Sequence, residues 1–245
     1  MRKKTGILIQ IRRVAAFCII VFFIVIFLSF SGKLTSQDTA DSYDKVYGLD
    51  QTLCNGTKYN YFPGSGMKGD QYLVSPFYMP GTVMIRGKVY RNLSLNYDLY
   101  HQQLLLKYSN EMGALNIIEV SKAWLEGFKL GEMNFTCLQG KTEPQFYQEL
   151  GEGPFRIFYQ WSKTIKLNTS IIGNSEFSFT PAERKGFVFM NGQLKPYGTK
   201  RSFLDLFDPL KRTEIKGYMR RNKINLRKSP DRVIEEMIIY IGKIR

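Results

Sequence analysis

Histidine is nearly absent from this chain of 245 residues, tryptophan occurs twice and cysteine three times. Each scarcity excludes a chemistry. With one imidazole, a serine hydrolase would have to use His101, and no GxSxG nucleophile motif accompanies it. His101 follows an apolar stretch in YDLYHQQ and reads as a polar surface residue in a turn. One histidine and unmotifed cysteines cannot build a zinc cage, and the acids lack the DxDxDG spacing of a calcium loop. No metal and no cofactor are expected. Cys18 falls inside an apolar run, which leaves Cys54 and Cys137 as the candidate disulfide, with two separate thiols as the alternative.

Two motif-like strings reduce to a loop. Gly64 to Gly69 spells GxGxxG, and Ser65 to Lys68 spells SxxK. A dinucleotide site needs a helix after the glycines, and an SxxK acyl-transfer site needs a helix to bring lysine beside serine. Here glycines flank Ser65, and the following residues run extended to Pro76.

Acidic residues are missing from the first 36 positions, which hold Arg2, Lys3, Lys4, Arg12, Arg13 and Lys33. Val14 to Phe30 is an apolar run, followed by small and polar residues from Ser31 to Gln37. Positive charge, apolar run and small-residue exit form the layout of an export signal. The run is long for a cleaved signal and short for a spanning helix. The small-residue exit favours cleavage. Both readings place residues 37–245 outside the cytoplasm, because positive charge stays inside. The cleaved form would be periplasmic or outer-membrane associated, and the uncleaved form anchored in the inner membrane. Nucleic acid is not an expected partner there.

The formal net charge is +14. Residues 37–194 balance their charges, so the excess beyond the first 36 residues lies between Lys195 and Arg245. Its candidate contacts are Arg212, Lys216, Arg220, Arg221 and Lys223, facing an anionic lipid surface or an acidic envelope protein. The plainer reading is the solvated face of two helices.

Short apolar runs punctuated by Gly, Pro and Asn predict strands. They cover 82–86, 93–97, 103–107, 115–120, 128–130, 133–138, 146–150, 155–161 and 187–190. Asn191-Gly192 signals a hairpin of type I′. Asp208-Pro209 signals a helix start, with Ile215 and Met219 facing inward. Ser229-Pro230-Asp231 repeats the signal before Val233 to Ile241, and 224–227 reads as a short extended link. Trp124 and Trp161 lie in apolar segments and are expected in the core.

The expected fold is therefore α+β: a mainly antiparallel β unit, barrel- or sandwich-like, followed by a C-terminal helical pair. A signal or transmembrane helix precedes it. The divisions are 1–36 signal or anchor, 37–55 flexible leader, 56–198 β unit and 199–245 basic helical segment.

From about residue 69 to the end, the chain resembles an uncharacterised family of exported Bacteroidetes-type envelope proteins. The likeness rests on GDQYLVSPFY from Gly69, YRNLSLNYDLY from Tyr90, YQWSK from Tyr159, KRSFLDLFD from Lys200 and IKGYMRRNKI from Ile215. The resemblance implies an exported envelope protein and supplies no activity or catalytic residue. The expected function is a non-enzymatic structural or binding role in the cell envelope. The alternative is an envelope-polymer hydrolase whose carboxylates are assembled in space.

Overall fold

A computed structural model describes residue 50 and residues 52–244, apart from 62, 65, 111, 141–142 and 170–174. The expected signal or anchor and most of the leader lie outside the described residues. No described helix is long and apolar enough to cross a membrane. Residues 49–245 form one compact unit.

Thirteen strands are described: β1 (Gly56–Lys58), β2 (Met79–Ile85), β3 (Lys88–Asp98), β4 (Gln103–Ser109), β5 (Leu115–Val120), β6 (Leu125–Leu130), β7 (Met133–Gln139), β8 (Pro144–Leu150), β9 (Arg156–Ser162), β10 (Ile165–Thr169), β11 (Ser175–Phe179), β12 (Glu183–Met190) and β13 (Gln193–Tyr197). Three helices follow: α1 (Lys200–Leu204), α2 (Pro209–Arg221) and α3 (Asp231–Lys243). Eleven strands form one sheet in the order β1-β5-β4-β3-β2-β6-β7-β8-β9-β12-β13. Its pairings are antiparallel, and β10 with β11 makes a separate two-stranded ribbon. The antiparallel unit and the helical pair are as expected. The sheet is open, with β1 and β13 as its edges. It is neither a closed barrel nor a two-sheet sandwich.

The sheet curls strongly through its middle, from β3 to β8. Tyr97 on β3 and Phe146 on β8 are four strand steps apart in the sheet order. At about 4.8 Å per step, a flat sheet would hold them roughly 19 Å apart. Their ring centroids lie 5.5 Å apart, edge to face. The Tyr97 ring also meets Phe128 at 5.7 Å and Phe135 at 5.6 Å. The bend is built around β2, whose register shifts against β3 at Gly81/Val83 and against β6 at Met84/Ile85. Bulges of this kind bend a strand and increase its twist. A Cβ at Gly81 would lie 2.6 Å from Leu95 Cδ1, so only glycine fits where the strands close up.

Two cores result. The first lies inside the curl and gathers Leu95, Tyr97, Leu104, Phe128, Phe135 and Phe146. The second lies between the inner face of β8, β9, β12 and β13 and the helices, with Ile157, Val188, Phe203, Ile215, Met219 and Met237. Trp161 is partly buried and packs against both. Trp124 is not a core residue: it is 41% exposed, under the Arg86 guanidinium at 3.7 Å from its ring centroid. It follows the turn before β6, where the apolar pattern has not yet begun.

Helix α2 starts as the sequence indicates. The Asp208 side chain accepts from Lys211 N–H at 3.0 Å, and Pro209 occupies the first turn. It ends without glycine. Lys223 takes the left-handed conformation (φ 51°), and Ile224 N–H returns to Met219 O at 2.9 Å. Helix α3 starts one residue late, because Ser229 Oγ accepts from Asn225 N–H and caps no helix. The expected extended link is instead a turn at 226–228 that buries Ile224 and Leu226.

Candidate functional site

The basic C-terminal residues do not act as one group. Ile215 and Met219 are buried at 0% and 1% exposure, which turns Lys216, Arg220 and Arg221 outward. Lys223 is exposed on the turn that follows. None of these four forms an ion pair among the described residues. Arg212 is different. Its guanidinium donates to Leu204 O at 3.2 Å and Phe207 O at 3.3 Å and pairs with Asp205. Arg212 therefore ties α1 to α2, and of the five expected contacts only the other four are without an ion pair among the described residues.

Cys54 and Cys137 are both free and half-buried, packed against the first core. Burial, then the nearby Asp50 charge, pushes the Cys54 thiol above its ordinary pKa. Burial pushes Cys137 up as well, against an opposing pull from Lys122.

His101 is better held than its surface position suggests. Asp98, fully buried, accepts from Tyr100 N–H and His101 N–H through Oδ1, both at 2.9 Å. Its Oδ2 accepts from Tyr59 Oη at 2.7 Å and faces His101 Nδ1 at 2.8 Å. A proton on Nδ1 satisfies this contact. The rings of Tyr61 and Tyr100 flank the imidazole at 4.3 and 4.7 Å. Burial, then the Asp98 contact, pushes the Tyr59 phenol far above its ordinary pKa, so it stays a donor. Gln71 Nε2 donates to the same phenol, and Leu99 N–H donates to Gln71 O. The cluster thereby fastens Tyr59 and Gln71 to the end of β3. Among the described residues, no serine, threonine or cysteine side chain is hydrogen-bonded to the imidazole.

A groove of about 700 Å³ runs between α3 and the β8–β9 turn, where Glu149, Glu152 and Glu235 share a lining with Phe155 and Ile238. Glu149 already accepts from Arg156 Nη1. Among the described residues, no group of three potential metal ligands occurs.

The junction of the two cores carries a relay that spacing along the chain could not reveal. Trp161 Nε1 donates to Gln148 Oε1 at 2.7 Å, and Gln148 Nε2 donates to Asp231 Oδ2 at 2.6 Å. Arg184 Nη1 donates to Asp231 Oδ1 at 3.0 Å, with further bonds to Ser229 O and Arg227 O. Arg184 and Asp231 are far apart in sequence, and nothing local marks them as partners. Asp98 and His101 were legible in principle, because an acid three residues before a histidine at a strand end is an Asx-turn pattern.

No protein-family model matches this chain, and neither a curated protein nor a solved structure is significantly similar to it.

Proposed function

We propose that this chain is an exported, non-enzymatic binding or structural protein of the cell envelope that rests on anionic lipid through the outward face of α2. The observation that carries the surface reading is the set of four exposed cations without ion pairs, Lys216, Arg220, Arg221 and Lys223. Export is supported by the N-terminal charge and apolar run, and by the resemblance to exported envelope proteins. Each Lys or Arg near an anionic membrane contributes about 1 kcal/mol, so four give weak, salt-sensitive attachment. Arg220 and Arg221 also oppose the negative end of the helix dipole, which is their role if the face is merely solvated.

The full chain reconstituted in nanodiscs tests this reading. Amine labelling of Lys216 and Lys223, read by mass spectrometry, should fall in anionic nanodiscs and stay high in neutral ones. Equal labelling in both defeats the proposal. The rival reading, a hydrolase with carboxylates assembled in space, is favoured by the glutamates of the α3 groove. Turnover of an envelope polymer lost in both Glu152→Gln and Glu235→Gln would replace the first reading with this one.

A further inference from the structure

A cleft of about 500 Å³ opens where the two cores meet, lined by Val74, Met133, Trp161, Arg184, Arg227 and Lys228. That size suits a small molecule, not a folded partner. Its charges are unequal. Arg184, 6% exposed at its side chain, is neutralised by Asp231. Asp231 in turn has both oxygens occupied, by Arg184 and by Gln148. Arg227 donates through Nη2 to Gly198 O, a neutral acceptor. Lys228 is exposed and forms no ion pair among the described residues. Two positive charges at the rim are therefore uncompensated.

The floor has the opposite character. The Trp161 indole N–H is already donated to Gln148 and the Arg184 guanidinium lies over its ring at 5.6 Å, so the part of its carbon surface that lines the cleft is what remains for a ligand. Met133 and the 57% exposed Val74 extend that apolar strip. Arg184 stacks over Tyr159 at 4.1 Å and donates to two linker carbonyls, so the floor is rigidly backed. Ser229 Oγ accepts from Asn225 N–H, which leaves its own proton for a ligand oxygen.

From this arrangement we infer that the cleft binds an acidic sugar unit. Its ring lies on Trp161 and Met133, its acid group meets Arg227 and Lys228, and a hydroxyl meets Ser229. A sugar ring combines one flat C–H face with hydroxyls and, in a uronic acid, one carboxylate, which matches strip, hydroxyl and cations together. The inference deepens the envelope-binding reading and rests on it, since acidic saccharides belong to that compartment.

The test uses the full chain in neutral detergent with Trp124→Phe, which leaves Trp161 as the one indole. Glucuronic acid and digalacturonic acid should quench its emission saturably, with glucose much weaker. Lys228→Glu should weaken acid-sugar binding about tenfold or more, the loss of one charge-assisted contact. Lys228→Gln should fall between the two. Absence of quenching by both acid sugars overturns the inference, as does binding unchanged in Lys228→Glu. Inorganic phosphate or benzoate binding as tightly as glucuronic acid overturns the sugar assignment. Lys216 labelling in nanodiscs separates the two readings. If the chain with Lys228 intact is protected there but binds neither acid sugar, the cleft alone fails. If sugar binds and protection is absent, the α2 surface alone fails.

Discussion

Removing the Tyr97 side chain should unfold more of this protein than any other single truncation in the first core. Tyr97 is fully buried and its ring meets Phe128, Phe135 and Phe146 edge-on. Its hydroxyl donates to Gln102 Oε1 at 2.7 Å. Gln102 Nε2 then donates to Leu99 O and, across the curl, to Trp161 O at 2.9 Å on β9. Tyr97→Ala deletes a large buried aromatic and should cost about 3–5 kcal/mol. Against a total stability of about 5–15 kcal/mol, that is about a fifth or more of what holds the fold. Tyr97→Phe keeps the ring and strands Gln102 Oε1, so it should cost only about 1–2 kcal/mol. Urea titration of both variants reads the difference through the midpoint, with an unchanged slope for each. Because Gln102 bridges to β9, Trp161 emission in a Trp124→Phe background should change at the same midpoint as the far-ultraviolet signal. A loss below about 1 kcal/mol for Tyr97→Ala would refute the account of a sheet curled around this ring.

Other perturbations address the rest of the molecule. Asp231→Ala leaves the nearly buried Arg184 without its counter-charge and should cost about 3–5 kcal/mol, while Arg184→Met with Asp231→Leu should cost less than Asp231→Ala, measured by urea titration. Cys54 and Cys137 should alkylate without prior reduction, slowly near neutral pH and faster as pH rises, because burial lifts both thiols and thins the thiolate. Failure of either to alkylate until reduced, followed by peptide mass spectrometry, would show a disulfide. The Asp50 carboxylate is pulled up by burial, but the Lys88 ion pair and the Thr52 and Leu53 N–H groups outweigh this and hold it below its ordinary value. A depressed carboxylate stabilises the fold above its unfolded pKa and loses that contribution as pH falls through the folded one. Asp50→Asn should therefore lower stability at pH 7 and leave it nearly unchanged near pH 2.

Much of the β unit was legible because its strands are written locally. Asn191 and Gly192 both adopt positive φ, as the type I′ signal requires, and Asp208-Pro209 opens α2. Helix α1 was missed because its capping box uses Thr199 and Ser202, not the usual acid or amide at the third position. The β10–β11 ribbon was missed although its apolar residues alternate with polar ones, because each strand is only five residues long; Leu167 and Phe177, directly paired, are each 53% exposed, and Phe179 is buried. The curl of the sheet was not legible at all. It depends on which strands meet, and β1 pairs with β5 across three intervening strands in sequence. The outward cations of α2 followed from helical spacing, but Arg212 did not, since its acceptors Leu204 O and Phe207 O exist only once α1 forms. The Arg184–Asp231–Gln148 junction joins three segments remote in sequence, and composition carries no trace of it.

The most direct test of the functional account is the salt dependence of Lys216 and Lys223 labelling in anionic nanodiscs. The screening length shrinks from about 10 Å at 0.1 M salt to about 3 Å at 1 M. Protection should be clear at 0.1 M, should fade by 1 M, and should be missing at both in Arg220→Glu with Arg221→Glu, whose thermal unfolding stays close to the parent's. Protection that persists at 1 M, or survives the double charge reversal, would contradict attachment through this face.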